Sequence, residues 1–169
     1  MSTTRQPAIV VGVSGSPASL TALRWAAYEA ARLHGQLQAV LVCTSQPCAP
    51  YAPQPRPLNQ EQCRERAYRD LAAAVRAVFG PVLPGYLVTE VVEGQPERAL
   101  TDKSAGADML VLGSASAHSP AKRSLGPVIR TCLGCAHCPV VVVGPEGLAG
   151  GAVTADPPAA ERQLADATS

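Results

Sequence analysis

The residues best placed to do chemistry are Gly113, Ser116, Gly126 and Pro127. An apolar run ends in glycine, a loop of small and polar residues follows, and a second glycine opens a helical pattern. Backbone N–H groups at a helix start carry partial positive charge and lack internal partners. Such a loop can cradle a phosphate, and glycine lets the phosphate approach the chain closely. The plainer reading is that short strand-to-helix loops use glycine for their turns. Lys122 and Arg123 lie in this loop and could add charge, but a solvated loop explains them more simply.

A second constellation is Cys132, Cys135 and Cys138, with His137 among them. An iron–sulfur or zinc site needs four soft ligands converging on one point. The position where a ferredoxin-like run would put its fourth cysteine is Val142. Small buried hydrophobes are therefore favoured over a redox pair, and a redox pair over a metal site. Cys43, Cys48 and Cys63 read as one strand thiol and two in or beside a loop. His34 suits the negative end of a helix dipole, His118 a solvated loop, and Asp108 a turn. No Ser-His-Asp set, carboxylate pair or Gly-Lys-Ser phosphate loop can be assembled, so the expectation is a protein that is not an enzyme.

Five strand-like runs, alternating with four helical patterns, must position these residues. The runs are 8–13, 37–43, 86–92, 108–113 and 139–143. They are apolar with little alternation, as expected for strands covered on both faces. Ser16-Pro17 opens the first helix, whose stripe is Leu20, Leu23, Ala27 and Ala30, with Gly35 as its stop. Asn59 and Gln62 form a capping pair for the second, with the stripe Ala67, Leu71, Val75 and Val78, ending at Gly80-Pro81. A third helix runs from Gln95-Pro96 to about Ser104, and a fourth from about Gly126 to Ala136. The alternation implies an α/β protein with a parallel sheet and helices on both faces. Ligands in such sheets bind beyond the carboxyl ends of the strands. Three loops then matter: Ser14 to Ser16, Thr44 onward, and Gly113 to Gly126.

Composition narrows the function further. Of 169 residues, 47% are hydrophobic but only 4% aromatic, so the core must be aliphatic. Fourteen basic against thirteen acidic residues leave a net charge of +1, which disfavours general nucleic-acid binding. No run approaches the roughly 18 apolar residues of a membrane span, and no secretory signal is legible. The expected compartment is the cytoplasm, with thiols reduced. The organisation expected is one domain over 1–144 and a disordered tail over 145–169, where Gly, Ala, Pro and Asp dominate.

Residues 7 to 144 resemble the universal stress protein family. The resemblance rests on three segments and one motif. The segments are Ile9-Val10-Val11-Gly12-Val13-Ser14-Gly15-Ser16-Pro17-Ala18-Ser19, Ala107 to Ser114, and Cys138-Pro139 with Val140 to Val143. The motif Gly-x2-Gly-x9-Gly, followed by Ser or Thr, reads here Gly113, Ser116, Gly126, Pro127. The resemblance implies a Rossmann-like, adenine nucleotide alpha hydrolase-like sheet in the order 3-2-1-4-5. It also implies a homodimer joined through the last strand, Val140 to Val143. One branch of the family binds ATP, with an aspartate after strand one for the ribose, main chain after strand two for the adenine, and the glycine loop for the phosphates. Those positions are here Ser14, Thr44, and Gly113, Ser116, Gly126, Pro127 and Val128.

Three of them depart from the pattern. Ser14 replaces a carboxylate that could accept from both ribose hydroxyls. Ser116 puts a β-carbon where glycine allows close approach. Pro127 removes a hydroxyl and a backbone N–H together. Two functions stay open. One is a regulator that binds ATP or a related adenine nucleotide and signals through an unknown protein partner, with no metal. The other is a degenerate member that binds no nucleotide and acts as a dimeric interaction module. An adenylyl transferase would want a His-x-Gly-His motif, which is absent.

Overall fold

The computed structural model describes residues 5–44, 59–115 and 125–144. Five strands form one parallel sheet in the order β3-β2-β1-β4-β5, as expected. They are β1 (Ala8–Val13), β2 (Gln36–Cys43), β3 (Leu87–Glu93), β4 (Met109–Gly113) and β5 (Val140–Val143). The helices are α1 (Pro17–Arg32), α2 (Gln60–Phe79), α3 (Pro96–Ser104) and α4 (Pro127–Cys135). No helix among the described residues is long and apolar enough to cross a membrane. The expected tail, 145–169, lies outside the described residues, as do Cys48, Ser116, His118, Lys122 and Arg123.

Strand periodicity explains why the runs do not alternate in polarity. Side chains of period two point to opposite faces, and both faces are covered. Ile9, Val11 and Val13 of β1 pack with Leu37, Ala39 and Leu41 of β2 against α1 and α2. Val10, Val40, Leu110, Leu112 and Val140 form the other layer, with Leu100 of α3 and Ile129 and Cys132 of α4.

The face of α1 differs in detail from its expected stripe. Leu20 is only half-buried, while Ala22, Leu23, Ala26 and Ala30 are fully buried. Small alanines let the helix axis lie close to the sheet. The end of α1 also corrects the sequence reading. The left-handed residue is His34, at φ 51°, and not Gly35. Gly35 serves a different need, because a β-carbon there would lie 2.5 Å from the Pro7 carbonyl oxygen. The neighbouring Gln36 N–H donates to that same oxygen at 2.7 Å. Asn59 and Gln62 form the reciprocal capping box on α2, and Gly80 ends that helix at φ 77°.

Two polar contacts hold the layers in register. Glu90 on edge strand β3 accepts from Gln38 of β2 and pairs with Lys103 of α3 at 2.6 Å. Ser104, fully buried at the end of α3, donates to the Thr101 carbonyl at 2.6 Å. Its oxygen also accepts the His137 N–H at 2.8 Å, pinning the turn that leads into β5. Asp108, read from sequence as a turn residue, makes a long-range link instead: its carboxylate accepts the Ala8 N–H at 2.8 Å, tying the entry of β4 to the start of β1.

Replacing Ser104 by alanine removes the partner of the His137 N–H from a part-buried hydrogen bond. A lost bond of this kind costs about 1 kcal/mol. For a chain of this size, the thermal midpoint should fall by about 3 °C. A midpoint within one degree of wild type would show that this link does not hold α3 to β5.

Candidate functional site

At the carboxyl end of the sheet a cavity of about 500 Å³ opens between β1, β2 and β4. This is the point where the strand order reverses, since β1 has β2 on one side and β4 on the other. Gly12, Val13 and Ser14 end β1 along the cavity wall, and Leu112 to Ala115 continue β4 along it. Gly126 to Ile129 bring in the start of α4, Leu100 adds α3, and Asp70 adds α2.

Of the residues predicted from sequence, Ser14, Gly113, Gly126, Pro127 and Val128 come together on this wall. Ser116 lies outside the described residues. Thr44 is not on the wall. Its hydroxyl donates to the Gly94 carbonyl at 3.2 Å, which ties β2 to the end of β3. The part of β2 that reaches the cavity is Val40 to Val42.

Ser14 belongs to a serine-built turn. Its hydroxyl lies 3.0 Å from the Ser16 hydroxyl, and its N–H donates to Ser19 Oγ at 3.2 Å. Ser16 in turn caps α1 by accepting the Ser19 N–H at 3.2 Å. Gly15 makes the turn possible at φ 78°. The Ser14 side chain itself is exposed.

The two glycines of the motif do different jobs. A β-carbon on Gly113 would stand 2.3 Å from the Ala18 carbonyl oxygen and 2.7 Å from the Ser19 nitrogen. Gly113 is therefore demanded by the packing of β4 on the first turn of α1, whatever else it does. Gly126 has φ −59° and ψ 161°, a conformation open to any residue. No described atom lies within 4 Å of the place a β-carbon would take there. The described fold does not require glycine at 126, but close approach of a ligand would.

Donors and charges on the wall are few. Among the described residues, no side chain caps α4. Pro127, its first residue, has no N–H, which leaves the amides of Val128 and Ile129 as the donors of its first turn without an intrahelical partner. Asp70 is the one ionisable side chain among the described lining residues. The sequence reading missed it, together with the apolar wall of Val40 to Val42, Leu100, Leu112 and Ile129. A signal existed for the apolar part, because these residues lie at or near strand and helix ends that face the switch point. Asp70 stands next to Leu71 of the α2 stripe, and nothing in that pattern marks it.

The thiols point to packing. Cys43, Cys63, Cys132, Cys135 and Cys138 are free. Burial raises the thiol of Cys132 above its ordinary value. Burial, followed by the nearby Asp108 charge, pushes Cys138 up to about 11. Cys43 is raised by burial and then by its neighbour Cys63. A redox thiol needs the opposite shift, toward thiolate. Among the described residues, no three His, Cys, Asp or Glu side chains converge as a metal site would need.

The contrast between the glycines is testable. Gly113→Ala overpacks backbone against backbone and should cost about 3 kcal/mol, or about 9 °C in thermal midpoint. Gly126→Ala should stay within about 0.5 kcal/mol of wild type. Equal losses in both, read by thermal unfolding, would refute the division of roles.

The model of the "Universal stress protein family" matches residues 7–144. A universal stress protein of Mycobacterium tuberculosis is 32% identical over 145 residues, which cover 82% of this chain and 48% of the relative. The chain thus spans about half the length of the curated relatives it matches. Among solved structures, a universal stress protein in complex with cAMP superposes with a TM-score of 0.60 at 24% identity, covering 84% of this chain and 99% of that one. The universal stress protein of Archaeoglobus fulgidus in complex with dAMP gives a TM-score of 0.55 at 20% identity, covering 81% and 96%. These structures share the fold described above, and with the family match over most of its length, the chain belongs to the universal stress protein family.

Proposed function

We propose that this chain binds an adenine nucleotide in the cavity at the switch point and uses occupancy to regulate contacts with a protein partner, without turning the nucleotide over. The observation that carries the reading is the uncapped start of α4, with room at Gly126, opening into a cavity of about 500 Å³. The amides of Val128 and Ile129 would hold a phosphate there. Val40 to Val42, Leu100 and Leu112 would offer the flat base an apolar wall. Relatives of the same fold that hold cAMP and dAMP support the ligand class. Among the described lining residues the donors for a phosphate are backbone amides. We place this activity in the cytoplasm.

A second reading has its own observation. Pro127 and Ser14 remove donors and charge from the wall, as a member that binds no nucleotide would show. In both readings we propose a homodimer through β5. That strand is an edge of the sheet, yet Val140, Val141 and Val143 are already buried in the fold. What a second copy would cover is its outer backbone edge, which no other described strand pairs.

Calorimetry of nucleotide-stripped protein with ATP, AMP and cAMP separates the readings. The first expects saturable binding in wild type. Pro127→Ser should tighten it about tenfold, the worth of one hydrogen bond to a charged group at about 1.5 kcal/mol. Ser14→Asp should gain less, since its charge opposes the phosphate. No heat with any nucleotide, in wild type or in Pro127→Ser, would leave the interaction module. For the dimer, light scattering at tens of micromolar should return twice the chain mass of 17.4 kDa. A monomer mass would overturn it.

A further inference from the structure

We propose that Cys43 and Cys63 are a thiol-oxidation site: a hydroperoxide converts them to a disulfide that bonds the end of β2 to the start of α2. The inference is independent of the nucleotide reading.

The two cysteines are far apart in the chain but share one anchor. Cys43 is the last residue of β2 and is buried, whereas Cys63 is half-buried. The Cys63 N–H closes the first turn of α2 by donating to the Asn59 carbonyl at 3.0 Å. Cys63 packs against the core layer to which Cys43 belongs, and the two thiols share a hydrogen bond. The end of β3 holds both backbones. Cys43 stands opposite Glu93 in the parallel ladder, and its carbonyl accepts the Gly94 N–H at 3.0 Å. The Glu93 carboxylate accepts from Gln60 and pairs with Arg64 Nε at 3.2 Å, residues on either side of Cys63. Thiols held in contact by such a frame need little rearrangement to bond, since a disulfide sets its sulfurs about 2 Å apart.

Different access divides the roles of the two thiols. Attack on an oxidant needs a reachable sulfur, and Cys63 supplies it. Burial, followed by the neighbouring Cys63, holds the Cys43 thiol above its ordinary value, with Arg64 opposing. Cys43 is thus a poor first attacker. It suits the second step, where a partner already in contact makes up for a small thiolate fraction. In the first step the Cys63 sulfur bonds to one oxygen of the hydroperoxide as the O–O bond breaks. The other oxygen leaves with a proton as an alcohol, or as water from hydrogen peroxide, and Cys63 becomes a sulfenic acid. In the second, the Cys43 sulfur bonds to the Cys63 sulfur as its S–O bond breaks, and the hydroxyl leaves as water with the Cys43 proton. Together the two thiols give up two electrons and two protons, and the hydroperoxide is reduced by the same two electrons.

The test treats the reduced full chain with hydrogen peroxide, blocks the remaining thiols by alkylation, and maps the linked peptides by mass spectrometry. Wild type should yield a Cys43–Cys63 link that dithiothreitol reverses. Cys48→Ser should form it at an undiminished rate, and Cys63→Ser should not form it. Closing the chain between these positions should raise the thermal midpoint of the oxidised protein by about 6 °C. The same treatment of Cys63→Ser should give no such rise, and its untreated midpoint checks that this variant is folded. Links made chiefly through Cys48, or among Cys132, Cys135 and Cys138, would overturn the proposal. So would Cys63 driven on to sulfinic acid while Cys43 stays a free thiol, because the two sulfurs would then not meet.

Discussion

The contact on which the site depends is the seating of β4 on the first turn of α1. Gly113 brings its backbone so close to Ala18 and Ser19 that no β-carbon fits between them. Interiors are packed like crystals, so a contact of this kind fixes position and angle together. It sets the end of β4 beside the serine turn after β1, and the Ser114 N–H then donates to the Val143 carbonyl at 2.8 Å. Three chain segments are thereby held at one place. A cavity opens there because two neighbouring strands leave in opposite directions and no described side chain fills the gap.

The same constraint explains why the site is mostly backbone. Strands covered on both faces must be apolar on both, and the ends of β1, β2 and β4 accordingly carry valine, leucine and glycine up to the rim. Among the described lining residues, the polar side chains are Ser14 and Ser19 of the serine turn, Ser114 just after β4 and Asp70 in the middle of α2. The serines of the turn are largely occupied with one another: Ser16 caps α1, and Ser19 binds back to Ser16. The start of α4 lies on the same wall, whose other described side chains are apolar.

Much of this was legible in the sequence, for identifiable reasons. Apolar runs marked every strand to within about a residue; β1, β2, β4 and β5 are apolar on both faces, while edge strand β3 carries Thr89 and Glu90 and buries none of its residues fully. The capping box at Asn59 and Gln62 and the prolines at 17, 96 and 127 marked helix starts, and each acts through local chemistry alone. What failed to show depends on tertiary approach. His34 takes the left-handed turn because Gly35 is needed against Pro7, a contact between segments far apart in the chain. Ser104 reads as one more polar helix residue until the His137 N–H arrives from another element. The Thr44 hydroxyl ties β2 to Gly94, a link between two loops that spacing alone does not reveal. Asp70 is invisible in a pattern that describes only the apolar face of α2.

Glycine is the residue type on which sequence reasoning is weakest, and here it decides how the motif is understood. Gly113 and Gly126 look alike as punctuation between a strand and a helix. The first answers to packing, and any chain with this fold would need it with or without a ligand. The second answers to nothing described in the fold, in backbone angle or in neighbours. The motif with both glycines and without Ser or Thr at position 127 therefore meets one packing requirement, at Gly113, while the described neighbours of Gly126 impose none. A serine or aspartate at 126 would cap α4 with a gain of about 1 kcal/mol. Among the described residues that helix start carries no side-chain cap, and Val128 and Ile129 line the cavity.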